Sequence, residues 1–451
     1  MSQKNKNNKP ANENYLVSLI IIGLLFFVFG FVTWLNGPLI NILQRACGTT
    51  PFKASLVTLA FYIAYFFMAL PSSYILKRTG YKNGMSIGLI IMALGALLFI
   101  PAAYSRTFGM FLTGLFVLGT GLALLQTAVN PFVTIVGPIE SAASRTSFMG
   151  IANKLAGVIS PLVLTSLVMR GLDVKLAPEN FDLLDAVQKN AVLDEFAGRM
   201  VVPYLVLAAF LFVFAGLIKI SSLPDNIETE DHADDSLSAF IKQIPSALKI
   251  RRVLLGVIAI FLYVGVEVMA GDSLTQFGRS LNLSFASKLT SYTMAFMVIG
   301  YIIGIILIPK YVRQSKALTA SAVLGMLFSI GAIVSSSEST VFFQSTFGWL
   351  NSVFHLGIPV LPDSVFFVSL LGLANALMWP AIWPLTLNHL GKYTKIASAL
   401  LIMGIAGGAI IPPFYARLGM SIGFQDALWI MVPVYIYIVF FAVKGHKMRS
   451  K

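Results

Sequence analysis

Charge is the scarcest feature of this chain. Only 11% of its 451 residues are Asp, Glu, Lys or Arg, where a soluble domain carries about a quarter. An ordinary water-facing surface cannot be built from that composition. There is one cysteine, Cys47, which excludes an internal disulfide and reads as a small apolar filler at a helix end. The histidines His232, His355, His389 and His446 are scattered, without the spacing of a metal site. No glycine-rich phosphate loop ending in Lys-Ser/Thr occurs, so nothing points to a nucleotide-driven pump. A cleavable leader is also missing. Met1 to Asn14 is polar and basic, but the apolar stretch behind it is too long for a signal core and lacks a small-residue cleavage site. It reads as a retained first span.

What the chain does have is apolar length. Hydrophobic residues make up 57% of it, and Leu19 to Val32 and Met85 to Ser105 contain no charge at all. Runs of roughly 18 or more apolar residues cross a bilayer as helices. Lipid offers no partner to backbone polar groups, so only helices and closed barrels span it, and these runs are too long for barrel strands. The expectation is an all-α membrane protein with twelve transmembrane helices near 16–44, 54–76, 83–104, 107–136, 145–169, 200–221, 252–275, 288–310, 316–336, 363–390, 394–417 and 424–444. An even count places both termini on one side. With that side cytoplasmic, 21 of the 32 basic residues fall in inner segments and 10 in outer ones, which satisfies the positive-inside rule. The net charge of +13 is therefore a topology signal and not a nucleic-acid surface. The bacterial inner membrane is the expected location. The segments read as a cytoplasmic N-terminus (1–15), a six-helix half (16–221), a cytoplasmic linker (222–251) acidic at Glu228 to Asp235, a second six-helix half (252–444) and a cytoplasmic tail (445–451). Between the fifth and sixth spans, Gly171 to Gly198 reads as an outer segment with helical spacing.

The halves repeat one another. Met149-Gly150-Ile151-Ala152 in the fifth span recurs as Met403-Gly404-Ile405-Ala406 in the eleventh, and Gly121-Leu122-Ala123 in the fourth as Gly372-Leu373-Ala374 in the tenth, each followed by a proline, Pro131 and Pro380. The basic loop Lys77 to Lys82 has its counterpart in Lys310 to Lys316, and both read as braces at helix ends. Two pseudo-symmetric six-helix halves with a site between them near the midplane is the layout of the major facilitator fold.

Several stretches carry a narrower resemblance: Phe31-Val32-Thr33-Trp34-Leu35-Asn36-Gly37, Ala60-Phe61-Tyr62-Ile63-Ala64-Tyr65-Phe66, Gln126-Thr127-Ala128-Val129-Asn130-Pro131-Phe132, Gly137-Pro138-Ile139-Glu140-Ser141 and Tyr263-Val264-Gly265-Val266-Glu267. Over nearly its whole length the chain resembles the fucose/galactose/glucose symporter family of the major facilitator superfamily, with its N-acetylglucosamine-transporting relatives. The resemblance implies a sugar site and cation coupling. It also marks two departures. Proton-coupled members carry an acid in the first span where this chain has Gly37, and another in the fourth where it has Gln126. Gln126 resembles members coupled to sodium.

A sugar site needs hydrogen-bonding side chains for hydroxyls and aromatic faces for ring C–H surfaces, turned toward a water-filled cavity. Gln126 and Asn130, four apart, share one helix face, and each amide both donates and accepts; interhelical packing is the alternative. Asn130-Pro131 predicts a local helix break. Asn153 matches a sugar-contacting position of the family. Lys154 beside it lies roughly 12–14 Å from Arg145 along the helix, near the midplane. A buried ammonium there is either half of an ion pair or a substrate contact. Glu267, roughly 22 Å along the seventh span from Arg252, is its candidate partner or a cation-coupling group. Asp272 is expected at the outer mouth of the same span. Trp379 and Trp383 share a face of the tenth span as stacking platforms, with interfacial anchoring as the alternative. Asn375, one turn before Trp379, and Tyr62 and Tyr65 complete the set.

The expected function is import of a hexose (glucose-, galactose- or fucose-like) or N-acetylglucosamine by alternating access, coupled to sodium or a proton. No further cofactor is expected, and the expected partners are the bilayer and a monosaccharide, with the protein a monomer. Alternatives are a uniporter of the same sugars or an exporter of peptidoglycan fragments or drugs. A membrane-embedded enzyme on lipid-linked sugars would need clustered acids, and Glu267, Asp272 and Asp363 form no recognisable motif.

Overall fold

The structure, a computed structural model, describes residues 12–135, 142–170, 181, 183–221, 223, 237–308, 311–355, 357–388, 390 and 393–448. The Gly137 to Ser141 motif, Lys310 and most of the acidic linker lie outside these residues. The described residues contain helices and no strand. Among the described residues, twelve helices are long and apolar enough to cross a membrane: Val17–Ala46, Pro51–Leu76, Arg78–Ser105, Phe108–Asn130, Phe148–Met169, Ala186–Ile220, Arg251–Ser280, Ala286–Leu307, Gln314–Val334, Asp363–Leu387, Ile396–Ile422 and Asp426–Lys447. Large apolar side chains such as Phe67, Leu167, Val213, Ile306 and Phe414 point outward, as a lipid-facing surface requires.

Local chemistry sets the turns. Near the start of the third span, Gly80 adopts φ +78, a positive-φ conformation that costs glycine little. The second span opens with Thr50 as N-cap, its Oγ1 accepting from the Lys53 N–H, and Pro51 in the first turn. At the start of the sixth span, Asp185 and Gln188 form a capping box that begins the helix Ala186–Gly198. Arg106 pins that helix, with Nε 2.8 Å from Asp194.

The two halves pack by one scheme used twice. The fifth span lies against the first and the eighth, and the eleventh against the seventh and the second. These contacts let backbones touch. Gly119 of the fourth span meets the Phe61 carbonyl of the second, and Gly372 of the tenth meets the Thr293 carbonyl of the eighth, each too close for any Cβ. The packing corrects the repeat read from sequence by two residues. Gly372 corresponds to Gly119 and not Gly121, so Pro131 matches Pro384, Gln126 matches Trp379 and Asn130 matches Trp383. The fifth and eleventh spans keep the sequence register. Asn153 packs by its backbone on Gly30, and Gly407, its equivalent, packs on the backbone of Phe261.

Helix breaks fall elsewhere than expected. The fourth-span helix runs unbroken from Phe108 to Ile135 through Pro131, because a proline removes a single bond and neighbouring helices hold the rest. Irregular points include Leu35 in the first span, Leu98 in the third, Arg199–Met200 in the sixth, a π-helical turn at Met269–Ser273 in the seventh, Ala376–Leu377 in the tenth and Ile405–Ala406 in the eleventh.

Candidate substrate cavity

A cavity of about 760 Å³ lies between the halves, within the usual range for small-molecule sites. Its lining runs from Trp34 and Tyr65 to Ile308 and Gln314, at the turn joining the eighth and ninth spans. It therefore extends toward the side where the first span begins and the twelfth ends. On the far side the first and seventh spans meet. Asn41 Nδ2 donates to the Thr275 carbonyl at 3.3 Å, Thr275 Oγ1 to the Gly37 carbonyl at 3.1 Å, Gln276 Nε2 to the Pro51 carbonyl at 2.9 Å, and Arg279 Nη1 to Gln44 Oε1 at 3.0 Å. These four bonds join one half to the other.

Most of the expected residues converge here. Gln126 and Asn130 line the cavity from the fourth span, and Trp379 and Trp383 from the tenth. The tryptophan rings stack with centroids 5.2 Å apart at 29°. Tyr62 and Tyr65, stacked at 6.3 Å, form a second aromatic wall. The two-residue register shift explains why both pairs face inward: the amide pair and the tryptophan pair occupy equivalent positions of the two halves. Asn153 also lines the cavity, with its Nδ2 donating to the Phe26 carbonyl at 3.3 Å.

The two deep charges sit together. Lys154 Nζ lies 2.7 Å from Glu267 Oε1, both side chains 9% exposed, and this bond spans the halves. The ammonium also rests 4.5 Å from the centroid of the Trp34 ring, a cation–π contact. Tyr263, one turn before Glu267, turns its hydroxyl toward that carboxylate. Small residues make the room. Gly157 and Gly271 both abut the Trp34 ring, and Gly150 abuts Tyr301.

Three expected residues lie elsewhere. Asn375 is fully buried outside the cavity, its Oδ1 accepting from the Tyr435 hydroxyl at 3.0 Å. The helical joint after Asn375 breaks the one-turn relation to Trp379, so the two do not share a face. Asp272 is not at an outer mouth but 0% exposed inside the contact between first and seventh spans. Gly37 packs beside it: a Cβ there would meet Thr290 Oγ1 and lie 3.0 Å from Asp272 Oδ1. Asp363, the third acid considered for an enzyme, accepts from Ser339 Oγ at 2.6 Å and the Phe343 N–H at 2.9 Å, a loop-holding role. Trp34, Tyr263 and Tyr301 were not among the residues expected from sequence, although helical spacing from Glu267 points to Tyr263.

The sequence profile described as the Major Facilitator Superfamily matches residues 22–412. A glucose/galactose transporter of Brucella abortus is 31% identical over 97% of this chain and 96% of its own length. The L-fucose-proton symporter of Escherichia coli is 29% identical over 89% and 86%. The crystal structure of the E. coli fucose:proton symporter superposes with a TM-score of 0.72 at 26% identity, covering 95% of this chain and 98% of that one. This membrane protein belongs to the Major Facilitator Superfamily, in the family that includes these sugar transporters.

Proposed function

We propose that this protein is a secondary transporter that imports a hexose or N-acetylhexosamine across the bacterial inner membrane by alternating access, coupled to a cation. The observation that carries the reading is the cavity between the halves, with two amides on one wall and two stacked tryptophans on the other. Amides match vicinal hydroxyls as donor and acceptor, and indole faces match the C–H surface of a pyranose. The names of the relatives, glucose/galactose transporter and L-fucose-proton symporter, support the same substrate class and proton co-transport. The excess of basic residues in the loops on the side of the chain ends favours cytoplasmic termini. The cavity then faces the cytoplasm, with the far side sealed. Lys154 and Glu267 would balance charge across the halves, and Gln126, Asn130, Trp379 and Trp383 would hold the sugar.

Uptake of labelled glucose, galactose, fucose and N-acetylglucosamine into proteoliposomes, with and without proton or sodium gradients, tests this. Saturable, gradient-driven accumulation of one of them is expected. Equilibration without accumulation selects a uniporter. The failure of all four to enter sinks the sugar reading and favours export.

A further inference from the structure

We infer that Asp272 is a proton-binding residue, and that the far-side seal closes only over its neutral, protonated carboxyl. Asp272 is 0% exposed, and neither carboxyl oxygen accepts a hydrogen bond of good geometry among the described residues; the one donor turned toward it is the backbone N–H of Gly37. Its neighbours are otherwise well matched. In the π-helical turn, the Ala270 carbonyl accepts from Thr293 Oγ1 at 2.8 Å and the Gly271 carbonyl from Thr290 Oγ1 at 3.0 Å. The backbone carbonyl of Asp272 itself accepts from Thr275 Oγ1 at 2.7 Å. Each of these carbonyls faces a hydroxyl, whereas the carboxyl faces a single backbone N–H. A bare carboxylate cannot be held in such a place without a paired cation or several donors, so the group described is the neutral acid.

The placement makes that proton consequential. The single hydroxyl hydrogen of Thr275 is shared between the Asp272 carbonyl at 2.7 Å and the Gly37 carbonyl at 3.1 Å, so the halves meet within three residues of Asp272. Parting the first and seventh spans on the far side must break that contact and admit water to the carboxyl. There it can ionise, and closing then requires that a proton from the outer water first form the O–H bond. Gly37 is what allows the approach, since a side chain at that position would lie against Asp272 Oδ1.

The charged groups acting on Asp272 are Glu267 of its own span and Lys154 of the fifth, and Asp272 in turn acts on Tyr62 of the second. Of the other charged groups on elements packed against the turn, Asp363 is committed to Ser339, Arg279 is held by Gln44, Arg45 lies half-buried at the far end of the Asn36–Ala46 segment beside Arg279, and Arg417 faces outward. When sugar disturbs the Lys154–Glu267 pair, the field at Asp272 changes, which links the proton to the cavity. A proton needs one carboxyl oxygen, whereas sodium needs several oxygen ligands converging on one point, and three carbonyls of the turn are directed at threonine hydroxyls instead.

The inference deepens the cation-coupled reading above and rests on it. In proteoliposomes, Asp272→Asn mimics the protonated acid permanently. Counterflow of labelled glucose or galactose without a gradient is expected to persist and lose its pH dependence, while accumulation driven by a pH gradient falls to the equilibrium ratio. Retained accumulation, or the wild-type pH profile of counterflow, overturns the inference. A second readout needs no variant. Dicyclohexylcarbodiimide attacks protonated, water-shielded carboxyls, so the wild-type protein should take an adduct at Asp272 whose yield falls as pH rises. A missing or pH-independent adduct overturns the inference even if Asp272→Asn does not fold. If no sugar enters while the adduct keeps its pH dependence, the transport reading has failed and the proton site stands. Accumulation driven by sodium and abolished in Asp272→Asn overturns the proton in favour of a metal ion.

Discussion

Separating Lys154 from Glu267 should cost far more than the pair is worth. The ammonium and the carboxylate are 2.7 Å apart in the wall between the halves. At an effective dielectric near 20, that distance corresponds to an attraction of about 6 kcal/mol. Withdrawing each ion from water takes back several kcal/mol, so the net contribution of the pair is small. Removing one partner strands the other, at a typical cost of about 3–5 kcal/mol. The two single variants should differ. Glu267→Gln leaves Lys154 over the Trp34 ring, a contact worth about 0.5–2 kcal/mol, so its cost should fall to about 2–3 kcal/mol. Lys154→Met leaves Glu267 with the Tyr263 hydroxyl in a wall that is otherwise largely apolar, and should cost about 3–5 kcal/mol. The double variant strands nothing. It should be more stable than Lys154→Met alone, with a coupling energy of about 2–3 kcal/mol. Denaturant unfolding of all four proteins in mixed micelles, followed by tryptophan fluorescence, measures the cycle. Additivity of the two substitutions within about 0.5 kcal/mol would mean that the two charges do not depend on each other, and the reasoning would fail.

Asn375→Ala should cost about 1–3 kcal/mol of stability by stranding the Tyr435 hydroxyl, with the KM for sugar unchanged; a rise in KM like that of Gln126→Ala would return Asn375 to the binding site. Trp379→Ala should weaken sugar binding by about tenfold, the equivalent of ~1.4 kcal/mol, and Trp379→Phe should recover part of it, which equilibrium binding of labelled sugar would show; an unchanged affinity would assign the ring to packing. Gly37→Ala should destabilise the far-side contact by about 1–3 kcal/mol through overpacking and slow counterflow. Thr290→Ala should relieve it, since Thr290 Oγ1 is the atom the new methyl meets first, and failure of that rescue would place the strain elsewhere. Burial pushes the Cys47 thiol up to about 11, against a smaller opposing pull from Arg106, so maleimide labelling should be slow at neutral pH and rise about tenfold per pH unit; fast, pH-independent labelling would contradict that burial.

The fold was legible because its cause is one-dimensional. Bilayer thickness imposes apolar runs, and Leu19 to Val32 or Met85 to Ser105 have no other use. The pairing of Lys154 with Glu267 was legible for a related reason: a lone cation and a lone anion at similar depth leave each other as the economical partner. What sequence could not show was rotation. Reading Asn375 onto the face of Trp379 assumed a continuous helix, whereas Pro380 cannot donate to the Ala376 carbonyl and the joint falls there. The same limit hid the true repeat. Gly121 and Gly372 share a tripeptide, but backbone contact pairs Gly372 with Gly119, and only in that register does Gln126 stand opposite Trp379.

Asp272 shows the limit most sharply. Five residues past Glu267 is about 7–8 Å along a helix, far enough to place an acid at the mouth if the span stood alone. The Asn36–Ala46 segment of the first span covers it instead. The resemblance marks an acid as missing at Gly37, because a comparison by sequence position keeps each carboxyl on its own helix. The geometry is indifferent to which helix supplies it. A methyl at Gly37 would lie 3.0 Å from Asp272 Oδ1, so the carboxyl stands where the first span has none, delivered from the opposite half. A position-by-position comparison counts that as a loss, while the volume around the seal contains the same chemistry, now attached to the half that must move away from Gly37 when the far side opens.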